Sequence, residues 1–221
     1  MHHLQPDPIN RHVYPVTRHA RSTGLVNMRC TWLVNITRTW VVNLRRRLTT
    51  PYVAFGELDN RPSQRAERLR QAFARAGGVT AEIPPDIQAA TWEKLLLIAS
   101  LSGVGAVTRA PVGIVRGVPE ARQLLEEAMR EVLVVARARG IALADEAVDR
   151  MLAFIDGVPP GVTASMQRDI MEGRPSELAY QNGAVVRLGQ EVGVITPVHS
   201  FIYRSLWPLE LRARGEVEFP A

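Results

Sequence analysis

The run Leu95-Leu96-Leu97-Ile98, apolar on every side of a helix, lies in a long apolar stretch from Ile87 to about Ser102 that also bears Trp92 and Lys94. A helix without a polar face cannot lie on a surface, so other elements must wrap it. The residues after it supply the wrapping. Pro119 opens a strongly periodic helix to Gly140, with Leu124, Ala128, Val132 and Val135 facing inward. Asp145 caps another, carrying Val148, Leu152 and Ile155. Thr163 caps one through Met171, Ser176 caps one from Glu177 to Glu191, and Pro197 starts a last helix that fades after Leu211. Gly103 and Gly105 loosen the end of the central helix. These elements predict a mainly α domain packed as a helical bundle.

Residues before Pro84 read differently. Tyr52-Val53-Ala54-Phe55 forms a short strand ended by Gly56, Asn60 caps a helix with Pro62 in its first turn, and Gly77-Gly78 stops that helix. Val79 to Ile83 makes a second strand. Residues 1–50 hold four of the five histidines, eight arginines and a single acid, Asp7. Within them, Trp32 to Val42 is β-prone enough for one or two strands.

The formal charge of +5 belongs to those first 50 residues, since the rest of the chain is slightly acidic. Nucleic acid is therefore not expected as a partner of the main domain. One cysteine, Cys30, excludes an intramolecular disulfide framework and a cysteine zinc site, and points to the cytoplasm. The histidines lack metal-ligand spacing, so no metal is expected. No charge-free apolar run reaches about 18 residues, so no membrane-spanning helix is expected.

Chemistry is sparse. The chain has 26 arginines and one lysine, Lys94, set among apolar neighbours on the central helix. An ammonium can donate a proton near neutral pH when desolvated, whereas a guanidinium cannot. The alternative is a helix-edge lysine with its head in water. Glu93 points elsewhere on the helix, being its sequence neighbour. Ser165 begins a helix, either as an ordinary first-turn residue or as a hydroxyl that holds a carboxylate. Glu177 complements a helix dipole. Gly103-Val104-Gly105 follows a helix rather than a strand, and no G-x-G-x-x-G or Walker pattern occurs. His199, near a helix start, reads as structural, and nothing pairs Ser165 with a histidine and an aspartate.

From Pro51 to Gly215 the chain resembles ketopantoate reductase (2-dehydropantoate 2-reductase). The text that carries the likeness is Trp92-Glu93-Lys94-Leu95, Ala110-Pro111-Val112-Gly113, Thr163 to Ile170, Ser176-Glu177-Leu178, Asn182-Gly183 and Thr196-Pro197. The resemblance implies the helical C-terminal domain shared by ketopantoate reductases and 6-phosphogluconate dehydrogenases, over residues 84–215. Residues 51–83 would be the tail of a Rossmann domain, and residues 1–50 an atypical basic leader outside any selected fold. It also implies NADP(H)-dependent reduction of a 2-oxo acid on the route to pantothenate. In that scheme Lys94 protonates the forming alkoxide, Ser165 and Ser102 bind substrate, and Glu177 contacts the cofactor. A homodimer is among the expected partners. Ile98, Ser102 and Val112 stand where the family commonly has asparagines, which opens the alternative of a different 2-oxo acid. A non-catalytic helical interaction module is the other alternative.

Overall fold

The structure is a computed structural model and describes residues 34–36, 39–46 and 51–220. The readings made for the rest of residues 1–50 lie outside the described residues. Four strands form one sheet in the order β1 (Val34–Ile36), β2 (Thr39–Arg46), β3 (Pro51–Glu57) and β4 (Thr80–Glu82). β1 pairs β2 and β2 pairs β3 antiparallel, with Val41 opposite Phe55. β3 and β4 run parallel, Val53 opposite Ala81, joined by helix α1 (Gln64–Ala76). Parallel strands need such a crossover, and here the helix buries Ala66 against Val53 and Phe55.

The two ends of α1 follow from local chemistry. Ser63, not Asn60, is the cap: its Oγ accepts from the Ala66 N–H at 3.1 Å. Asn60 instead adopts a left-handed φ of 59°, and its Oδ1 accepts the Ile87 N–H at 3.0 Å. That bond ties the β3–α1 turn to the first residue of the next helix. Gly77 and Gly78, both left-handed, end α1 as expected.

Helix α2 (Ile87–Thr108) is capped by Asp86, whose Oδ1 accepts from the Ala89 N–H. It runs straight through Gly103 and Gly105, which therefore do not end it. Their missing side chains make room: the Asn182 amide lies against Gly103 and the Gln167 amide against Gly105. By length and composition α2 could cross a membrane, contrary to the expectation from its charge, but most of its apolar stretch is buried as a core helix.

Around α2 lie α3 (Val112–Gly117), α4 (Pro119–Ala138), α5 (Ala147–Asp156), α6 (Ser165–Met171), α7 (Asn182–Glu191) and α8 (Pro197–Ala213). Leu96, Val104, Leu125, Met129, Val132, Ile155, Leu178 and Ile202 fill the shared core. Burying one such side chain contributes roughly 1.5–3 kcal/mol. The mainly α bundle with short strands on its N-terminal side is thus the observed fold. Helix α3, six residues between Pro111 and Pro119, has no periodic signal of its own and is held from outside. Val112 N–H donates to Val162 O at 2.9 Å and Gly113 N–H to Pro160 O at 2.8 Å. Residues 177–181, expected as helix, form a turn before α7.

Candidate functional site

Lys94 sits in the second turn of α2 and is only 3% exposed. Its neighbour Glu93 turns away and pairs with Arg150 on α5. Ile98 lies one turn beyond Lys94 and Ser102 two turns beyond, about 12 Å along the helix axis. Ser102 is buried, and its hydroxyl lies 2.6 Å from Gln181 Oε1 and within reach of the Ile98 carbonyl. Gln181 Nε2 donates in turn to Glu177 Oε2 at 2.6 Å. A chain of hydrogen bonds thus links Ser102 on α2 to Glu177 on the turn before α7. Ser165 is exposed at the first position of α6, and the sulfur of its neighbour Met166 lies 3.9 Å from Ser102 Oγ. Ser102, Glu177 and the start of α6 therefore gather at the second half of α2, with Lys94 on its first half.

The turn that carries Glu177 is pinned from below. Glu210 on α8 is buried and accepts from both the N–H and the hydroxyl of Ser176, while Arg214 pairs with it at 2.7 Å. A buried carboxylate needs such partners. Arg187 donates to the Ala179 carbonyl on the same turn.

A second buried network locks α2, α4, α7 and α8 together. Asn182 Nδ2 donates to Ala99 O at 3.1 Å and to His199 Nδ1 at 3.0 Å, so His199 carries its proton on Nε2 and donates it to Ala128 O. Burial lowers the His199 pKa to about 4, which keeps the ring neutral. Its role is structural, as expected from the sequence. Glu131 on α4 accepts the Val198 and His199 N–H groups at the start of α8. Neither Gln181 nor Asn182 stood out in the sequence by its chemistry; a glutamine beside a helix reads as surface, and Asn182 entered only with the family likeness.

A dinucleotide needs donors for its phosphates. Among the described residues the strand-to-helix turn that could offer them runs from β3 to α1. It already satisfies its N-terminus with Ser63, and it carries Glu57 and Glu67, whose pKa values are both lowered to about 2. Arg65 and Ser63 hold Glu57 ionised, in that order of effect. Arg65 and Arg70 neutralise the two carboxylates, so this turn offers paired charges and a capped helix start rather than the open N–H cradle that a pyrophosphate takes. A hollow of about 270 Å³ opens beside that turn, lined by Gly56, Glu57, Asn60, Ile83 and Pro84. It includes none of the expected site residues. No cluster of metal-binding side chains occurs among the described residues.

A helical body built around one buried apolar helix, joined to the end of a strand–helix–strand unit, defines the class of fold. The family described as ketopantoate reductase PanE/ApbA C terminal matches residues 86–210, and the chain belongs to it. The 2-dehydropantoate 2-reductase of Pyrobaculum aerophilum is 32% identical over 135 residues, 61% of this chain and 48% of that protein. The Mycobacterium tuberculosis protein of the same name is 32% identical over 137 residues, 62% of this chain and 46% of its own. The chain spans about half the length of the curated relatives it matches. A solved 2-dehydropantoate 2-reductase from Geobacter metallireducens superposes with a TM-score of 0.66 at 31% identity, covering 72% of this chain and 53% of that one. A D-mandelate dehydrogenase, solved with NADH and anilino(oxo)acetate, shares the fold with a TM-score of 0.67 at 20% identity, covering 75% and 68%.

Proposed function

We propose that residues 84–215 are the substrate-binding half of an oxidoreductase that reduces a 2-oxo acid, with residues 51–83 the end of its cofactor-binding domain. The reading is carried by one observation: the only lysine in the chain is 3% exposed on the core helix. Placing an ammonium there costs solvation, and a compact cation that can give up a proton repays a site that needs one. In this reading Lys94 holds a proton for the carbonyl oxygen of the acid and stabilises negative charge on that oxygen. The Ser165 hydroxyl binds the carboxylate, Ser102 borders the substrate, and Glu177 faces the cofactor. NADP(H) would supply the hydride; of the described residues this reading assigns Glu177 to it and Lys94, Ser102 and Ser165 to the substrate.

Support comes from relatives named 2-dehydropantoate 2-reductase, whose substrate becomes the leading candidate. The Staphylococcus aureus ketopantoate reductase is described as dimeric, and a second copy is the partner proposed here. A small-acid reductase of this kind would work in the cytoplasm, without membrane or nucleic acid.

Titration calorimetry of the purified chain with ketopantoate tests the reading. Lys94→Ala should weaken binding by tenfold or more, on the order of a lost charge-assisted hydrogen bond. Binding that Lys94→Ala leaves unchanged overturns the assignment. A parallel NADPH titration by fluorescence decides how much of the cofactor site the chain holds. Strong dimerisation with neither ligand bound would favour the non-catalytic module instead.

A further inference from the structure

We infer that the α7–α8 face beside the Glu177 turn binds an oxyanion, a phosphate or carboxylate group, through Arg187 and the Tyr203 hydroxyl. The inference does not rest on the reduction proposed above. Gly183 on α7 brings the two side chains together. A Cβ there would lie 2.9 Å from Tyr203 Cε2 and 3.1 Å from Arg187 Nη1, so the ring edge and the guanidinium meet over a position that has no side chain.

Arg187 is exposed and gives one N–H, from Nη2, to the Ala179 carbonyl at 3.1 Å. A guanidinium has five such donors. No carboxylate pairs with Arg187 among the described residues, whereas Arg139, Arg174 and Arg214 each hold one. Tyr203 is half-buried, its ring centre 5.2 Å from that of Trp207, and Arg214 lies over the Trp207 ring at 5.6 Å. Packing thus fixes the Tyr203 ring, yet its hydroxyl has no hydrogen-bond partner among the described residues. A phenol packed in this way normally finds one. Burial holds this phenol above its usual pKa, so it keeps its proton and can donate. Arg187 and then Arg214 act in the opposite direction, which identifies them as the positive charges that face it, and Glu210 is the carboxylate among them. Glu210 is already engaged by Ser176 and Arg214. The Arg187 donors and the Tyr203 hydroxyl remain, in a positive field, and they select a ligand that accepts hydrogen bonds and carries negative charge.

The test follows thermal unfolding of the full chain with added inorganic phosphate and, separately, with acetate, while chloride holds the ionic strength constant. The expected result is a saturable rise in melting temperature. A rise with phosphate alone marks a phosphate site, a rise with acetate alone a carboxylate site, and a rise with both a site for either group. Tyr203→Phe removes only the hydroxyl and should weaken the affinity about tenfold. Arg187→Gln should weaken it by about tenfold or more, and Arg187→Lys, which keeps the charge without the fork, should fall between wild type and Arg187→Gln. Should the arginine variants fail to fold, Tyr203→Phe decides alone. A rise of equal size in wild type and variants reports binding at other arginines and overturns the inference. No rise with either anion overturns it as well. Neither result bears on Lys94, which is tested by ketopantoate.

Discussion

Gly103→Ala puts the packing of the helical body to its sharpest test. A Cβ at this position would lie 2.5 Å from Asn182 Nδ2, 3.1 Å from Ile202 Cγ2 and 3.2 Å from Asn182 Cγ. The Asn182 amide cannot swing aside without loss, because its Nδ2 serves both Ala99 O and His199 Nδ1. Overpacking a core costs about 1–3 kcal/mol. Each of the two buried bonds is worth about 1 kcal/mol, and alanine in place of a mid-helix glycine returns about 1 kcal/mol. The balance is a loss of about 2–4 kcal/mol. Urea unfolding followed by circular dichroism should show a lower midpoint with an unchanged slope. Gly117→Ala is the control: a methyl group there would meet no atom within 4 Å, and the variant should stay within about 1 kcal/mol of wild type. Pairing Gly103→Ala with Asn182→Ala should cost less than the two single losses together, because the second change vacates the space the first one needs. A Gly103→Ala protein within about 0.5 kcal/mol of wild type would refute the packing argument.

His199 predicts an acid-dependent loss of stability. Its pKa falls from 6.5 to about 4 through burial, opposed by the bond to the Ala128 carbonyl. Between those values the unfolded chain takes up a proton that the folded one refuses. Stability is thus full above pH 6.5 and drops by about 3 kcal/mol on the way to pH 4. Glu131, held above its usual value by burial, acts with the opposite sign, so wild type must be compared with His199→Gln, which should lack the fall; equal pH profiles would refute the assignment. Glu210→Ala strands the Ser176 donors and Arg214 and should cost about 3–5 kcal/mol, with faster proteolysis in residues 172–181; an unaltered melting temperature would argue against the pin.

Much of the helical body was legible because its helices are amphipathic. The α5 residues Val148, Leu152 and Ile155 are the expected ones, and α4 buries Ala128, Val132 and Val135 as expected. What sequence could not supply was the partner across space. Gly103 and Gly105 read as a frayed end because the amides that fill their places come from α7 and α6, some 60–80 residues on. Asn60 read as a cap because its longer-range acceptor role, toward Ile87, leaves no local trace. The turn at Glu177 read as helix because nothing nearby reveals that Glu210 holds Ser176. Lys94 stood out through arginine's dominance everywhere else, while Gln181 had no such contrast.

The bond from Asn60 to Ile87 has a bearing on how this protein can be taken apart. Composition suggests a cut just before α2, at Ile83-Pro84-Pro85. Such a cut would sever the acceptor of the Ile87 N–H, Asn60, and Gly56, which packs closely against the Ile87 side chain, from the helix that Ile87 starts. A division at Gly77-Gly78, where both glycines turn in open space, parts the same two residues but leaves β4 on the other piece to pair with β3, so a two-piece reconstitution would do better there. The helical body would then carry β4 with it, and the two pieces would find each other through strand pairing.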